Sequence, residues 1–171
     1  ARALAEHLLG HGHRAITFLG DPSSSPDVAG RFSGIKAALA PKRAHLTLVR
    51  GHGLDLDAGC AATPEVLAGG PDAVICANDE LALGVLLAAE EAGVRAPQDL
   101  AVTGWDDLLA ARFAGLTTVR QPMRELGATA ARWLDKRINE PPSQRTAARR
   151  RILATEVVIR RSCGMHEEVH P

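Results

Sequence analysis

The chain has 171 residues, 46% of them hydrophobic and 23% charged, which is enough to bury a substantial core and describes an ordinary globular protein. Twenty basic residues against twenty acidic ones give zero formal charge, so the global balance points to neither nucleic acid nor an anionic membrane. The three cysteines Cys60, Cys76 and Cys163 are too far apart and too few for a disulfide framework and fit a reducing compartment.

From the start, Leu4, Ala5, Leu8 and Leu9 recur at helical spacing, with Gly10 and Gly12 as stops. Residues 15–19 form an apolar run ended by Gly20-Asp21-Pro22, which predicts a strand, and a serine loop leads to a helix over 28–39. A second strand is expected at 45–49, and a short helix from Thr63 as N-cap and Pro64 as first residue through Leu67. Residues 73–77 are an uninterrupted apolar strand, and Asn78 caps a helix reaching Ala92. Strands at 100–103 and 116–119 follow, then a helix opened by Gln121-Pro122 that ends before Pro141, and a strand at 152–159. Strands without polar alternation, separated by amphipathic helices, predict an α/β fold: a doubly wound parallel sheet covered on both faces. Ligands of such sheets lie beyond the carboxyl ends of the strands, here at residues 21–27, His52, Asn78-Asp79 and Asp106-Asp107. The arginines at 145, 149–151 and 160–161 read as a solvated edge.

No apolar run approaches the ~18 residues of a membrane span. The start carries no signal-peptide pattern, so a cytoplasmic location is expected. It also carries no initiator Met, and the chain is expected to begin partway through a longer protein.

Several blocks resemble the LacI/GalR family of transcription regulators. They are His7-Leu8-Leu9-Gly10-His11 leading to Ile16; Arg31-Phe32-Ser33-Gly34-Ile35; Pro71-Asp72 through Asn78-Asp79; Val102-Thr103-Gly104-Trp105-Asp106-Asp107; Leu116-Thr117-Thr118-Val119-Arg120-Gln121-Pro122; and Val158-Ile159-Arg160-Arg161-Ser162. The resemblance covers residues 1 to about 162. It implies a periplasmic-binding-protein-like type I fold of two lobes, of which this chain would hold one complete lobe and part of the second. The implied division is 1–16 as the end of the N-terminal lobe, 17–118 as the C-terminal effector-binding lobe, 119–155 as the segment returning to the N-terminal lobe, 156–162 as the last strand of the C-terminal lobe, and 163–171 as a disordered tail.

The same resemblance implies an effector held between the lobes. Arg31 is the foremost candidate, since a guanidinium donates two parallel hydrogen bonds to vicinal hydroxyls or a purine edge, the alternative being a solvated helix arginine. Asn78 offers a donor and an acceptor, or is simply an N-cap. Asp106 can accept from two hydroxyls, with Gly104 letting the backbone approach ligand, or it caps the next short helix, as Asp107 equally could. Asp27 and Gln121 occupy further positions that contact effector in the family. Trp105, where tyrosine is more usual, is expected to be partly buried. Leu54 stands where family members often place an aromatic platform for a sugar, which weakens the case for a pyranose.

The expected partners are therefore a small polar, sugar-like effector, operator DNA through a helix-turn-helix outside this chain, and a second copy, with no membrane and no cofactor. A solute-binding protein of a sugar transporter shares the fold and is the alternative. Enzymatic function is not expected: Ser23-Ser24-Ser25 is no nucleophile elbow and Gly51-His52-Gly53 lacks phosphate-loop spacing. His166-Glu167-Glu168-Val169-His170 matches H-E-x-x-H, yet it lies at the chain end without an apolar stripe or an implied third ligand. His7, His11 and His13 read as solvated histidines around a helix end.

Overall fold

The structure is a computed structural model and describes residues 1–141 and 150–164. Helix α1 (Arg2–Gly10) leads to β1 (Ala15–Leu19). Helix α2 (Pro26–Leu39) begins where Ser25 Oγ accepts from the Val28 amide at 3.2 Å and Pro26 presets the first turn. A 3-10 turn then leads to β2 (His45–Val49), followed by α3 (Leu56–Ala68), β3 (Ala73–Cys76), α4 (Asp79–Glu91) and β4 (Ala101–Thr103). The remainder is α5 (Leu109–Ala114), β5 (Thr118–Arg120), α6 (Met123–Asn139), β6 (Glu156–Val158) and a closing 3-10 turn, Arg161–Cys163.

Strands β2-β1-β3-β4 lie in that order, all parallel, with Thr17 opposite both Thr47 and Val74. A parallel sheet flanked by helices is buried on both faces, which is why β1 and β3 are apolar at almost every position. Phe18, Ile16, Ile75, Leu81 and Leu100 are nearly inaccessible at its centre. Strands β5 and β6 pair separately, and parallel bridges at Thr103–Thr117 and Asp106–Arg120 attach β5 beside the end of β4.

The chain divides into two compact units, residues 1–120 with 157–171, and residues 121–156. In the second unit, α6 is amphipathic with Leu126, Leu134 and Ile138 exposed, and Arg151 pairs with Glu125 at 2.7 Å. The grouping at the start of the chain differs from that implied by resemblance. Helix α1 belongs to the first unit, because Leu4, Ala5 and Leu8 are fully buried in its core and α1 packs on α2.

Three local expectations are corrected. Thr63 and Pro64 do not start α3 but lie inside it: Asp55 is the cap, accepting from the Ala58 amide at 2.8 Å, and buried Thr63 returns its hydroxyl to the Gly59 carbonyl one turn back. The strand expected at 152–159 contracts to Glu156–Val158, with Ile152 and Ile159 exposed at either side. Cys163, assigned to a disordered tail, is completely buried in the closing turn, its Sγ 3.0 Å from Thr117 Oγ1. The arginines at 145 and 149 and the H-E-x-x-H block lie outside the described residues.

Helices α3 and α4 cross closely because each contributes a glycine to the contact. A Cβ on Gly84 would stand 2.2 Å from the Leu56 carbonyl oxygen, and one on Gly59 would stand 2.4 Å from that of Leu81. This packing fixes the N-terminus of α4, and with it Asn78 and Asp79, at the end of β3.

Candidate functional site

The carboxyl ends of β1, β3 and β4 open onto one edge of the sheet, where the polar residues selected from sequence gather. Arg31 reaches there from the second turn of α2. Its Nη1 donates to the Ala77 carbonyl at 2.5 Å, and its Cζ lies 4.7 Å from the centre of the Trp105 ring. A guanidinium stacked on an indole and anchored at one nitrogen is preorganised, leaving other N–H groups for a ligand. Half-burial lowers its pKa, while the charges of Asp106 and then Asp27 act in the opposite direction. One cation and two carboxylates therefore converge here, a donor and acceptor set suited to a polyhydroxylated or otherwise polar ligand.

The other candidates divide. Asp27 is exposed in the first turn of α2, and Asp106 is half-buried after β4. Asn78 is occupied: its Oδ1 caps α4 by accepting from the Leu81 amide at 3.0 Å, and its Nδ2 donates to the Leu54 carbonyl at 2.6 Å. The cap accounts for Oδ1, and Nδ2 ties the start of α4 to the loop before α3. Gln121 opens the second unit, directly after β5. Trp105 is more enclosed than expected, at 9% exposure.

Two carboxylates matter more than the sequence indicated. Asp107 caps nothing: the N-cap position of α5 is Leu108, which makes no side-chain cap bond. Instead its side chain, 1% exposed, accepts from Arg160 Nη2 at 2.5 Å and Arg120 Nε at 2.6 Å, with Arg112 at 3.4 Å. Burial pushes the Asp107 pKa up, but the bonds and charges of Arg160 and Arg120 outweigh it and hold the carboxyl below its ordinary value. Arg160 is thus a partly buried ion-pair partner and not a solvated edge.

Asp79, fully buried, accepts from Thr118 Oγ1 at 2.5 Å and from the Leu108 amide at 2.8 Å. Burial raises its pKa, against the lowering effect of those two bonds. Gly104 serves this carboxylate rather than a ligand, because a Cβ there would sit 2.3 Å from Asp79 Oδ1. The doublet Asp106-Asp107 was the one available signal, since adjacent residues face different surroundings; the arginine partners could not be read from it.

Among the described residues, no three His, Cys, Asp or Glu side chains form a metal-binding group. His7 Nε2 lies 3.3 Å from Cys163 Sγ, and His13 Nε2 lies 3.4 Å from the Cys163 carbonyl, so two of the three histidines are packed against the closing turn rather than solvated. No described helix is long and apolar enough to cross a membrane.

Residues 5–163 match the family described as periplasmic binding protein-like domain. A transcriptional repressor of Pasteurella multocida, PurR of the helix-turn-helix type, is 32% identical over 163 residues, covering 92% of this chain and 48% of that protein. The chain thus spans about half the length of the curated relatives it matches. A LacI-family transcriptional regulator from Sanguibacter keddieii superposes with a TM-score of 0.85 at 31% identity, covering 96% of this chain and 63% of that one. A LacI-family regulator from Enterococcus faecium with bound ribose gives 0.84 at 31% identity, covering 95% and 61%.

Proposed function

Since this chain belongs to the periplasmic binding protein-like domain family, in the form found in LacI-family regulators, we propose that it is the effector-sensing part of a DNA-binding transcription regulator. A small polar metabolite, a sugar or a related compound, docks at the carboxyl edge of the sheet and shifts the conformational equilibrium of the whole regulator, altering operator affinity. The observation carrying this reading is Arg31, held by the Ala77 carbonyl, stacked on Trp105 and acted on by the charges of Asp106 and Asp27. The ribose seen with the Enterococcus faecium relative supports a sugar-class ligand.

In this reading residues 119–155 are the segment that returns to a second lobe completed by the rest of the protein, while α1 stays with the first unit. Operator contact comes from a helix-turn-helix elsewhere in that protein, two copies pair, and the regulator works in the cytoplasm without a cofactor or a catalytic step. Relatives that are regulators favour this function over a transporter's solute-binding protein.

Calorimetric titration of the full-length protein with ribose, other pentoses, hexoses and purine bases tests the reading, with operator binding measured in parallel. One compound should bind and change operator affinity. Failure of every class to bind would overturn it.

A further inference from the structure

The loop that carries Asp106 is fixed more tightly than an exposed ligand loop requires. Asp106 and Asp107 both adopt left-handed backbone conformations, with φ of 121° and 59°. Non-glycine residues stay in that region only where the surroundings over-determine them. Here the surroundings are named. The Asp106 amide donates to the Val119 carbonyl at 3.0 Å, the Leu108 amide is held by Asp79, and the intervening Asp107 carboxylate is held by Arg120 and Arg160.

The positions of those two arginines are informative. Arg120 is the last residue before the chain leaves the first unit at Gln121, and Arg160 follows β6, by which the chain returns. Both passages between the units therefore end on one buried carboxylate, adjacent in sequence to the foremost acidic ligand candidate. A charge added only for solubility would not be 1% exposed.

We propose that Asp107 is a positioning residue, tying the ligand-facing loop at Asp106 to both passages that join the two units. It touches no ligand itself. Through it, the conformation of the loop and the path of β5 and β6 are set together, which is the physical link an effector-responsive domain needs between its site and the rest of the chain. That functional consequence rests on the effector reading above, whereas the tie itself does not.

Hydrogen exchange on the full-length protein, without ligand, tests the tie. In Asp107→Asn, exchange of the Asp106 amide and of residues 118–120 and 157–160 should rise about tenfold or more, while Val74–Cys76 in the central sheet stays within about twofold of the parent. An equal rise in the central sheet would mean that Asp107 only stabilises the fold, and no rise at Asp106 would remove the tie. If Asp107→Asn does not fold, Arg120→Gln, which keeps the Arg160 bond, decides by the same pattern with a smaller rise. No ligand enters this readout, so failure of the effector reading and failure of the tie are separately visible.

Discussion

Arg160 and Asp107, 53 residues apart in sequence, meet at 2.5 Å in a hydrogen bond whose carboxylate is almost wholly withdrawn from water. Burying a carboxylate is costly unless it is paired and hydrogen-bonded, and here three guanidiniums supply the compensation. Their net effect fixes the sign of a pH response. The folded-state pKa of Asp107 lies below the unfolded value, so its contribution to stability is present above about pH 4 and is lost as pH falls through the folded pKa. Asp107→Asn should cost about 2–4 kcal/mol at pH 7, less than the full range for a buried pair because Arg120 and Arg112 are partly exposed, and the difference from the parent should shrink at acid pH. Urea unfolding at several pH values checks this, and a penalty independent of pH would contradict it.

Asp79 should show the opposite slope. Its pKa is raised by burial, so the stability it adds is fully present below the unfolded carboxylate pKa and declines as pH rises through the folded one. The penalty of Asp79→Asn relative to the parent should therefore be largest near pH 4 and smaller near pH 7. A penalty that grows toward neutral pH would show that the two hydrogen bonds outweigh burial.

Glycines in helices should separate by what surrounds them. Gly84→Ala places a methyl group 2.2 Å from the Leu56 carbonyl oxygen, forcing α3 and α4 apart at a cost of about 1–3 kcal/mol or more. Gly30 in α2 has nothing within 4 Å of the added Cβ, so Gly30→Ala should stabilise by about 0.4–1 kcal/mol. Thermal unfolding of the two variants should move in opposite directions.

At the proposed binding edge, Arg31→Ala and Asp106→Ala should each weaken whichever ligand titrates by about 10- to 100-fold, the loss of one charge-assisted contact. Asn78→Ala should act mainly on stability, by about 1 kcal/mol, because its side chain is taken up by the α4 cap and Leu54. Calorimetry and denaturation on the same variants distinguish these roles. A large affinity loss in Asn78→Ala with unchanged stability would return that residue to the site.

Pairing of two copies is expected to use the exposed apolar side chains of α5, where Leu109 and Phe113 are 67% and 79% exposed. Spaced four residues apart on one helix, the two side chains share a face suited to packing against a partner. Phe113→Asp should shift sedimentation equilibrium of the full-length protein toward monomer, and an unchanged distribution would move the pairing surface elsewhere.

Much of the fold was legible because it rests on short-range pattern. Apolar runs bounded by glycine and aspartate specified β1, β3 and β4, and their lack of alternation specified a parallel sheet. Asp106 stood out for the same reason, as a polar group immediately after a strand end, whereas Arg31 was marked by the motif blocks that carry the family resemblance. Where two local signals competed, the reading failed: Thr63-Pro64 has the chemistry of a helix start, but Asp55 caps the helix earlier and the contact of Gly59 with α4 extends it.

The sequence by itself therefore determined the order of elements and the parallel sheet, since these follow from periodicity and turn chemistry within a few residues. Only the tertiary structure decided what the carboxylates do. Asp107 is defined by Arg120 and Arg160, which lie 13 and 53 residues away, and Asp79 by Thr118, 39 residues away. Likewise, α1 joins the first unit through the burial of Leu4 and Leu8, a fact of packing that its amphipathic pattern leaves open. A charged side chain's role depends on which distant groups share its low-dielectric surroundings, and that is settled when the chain closes around it.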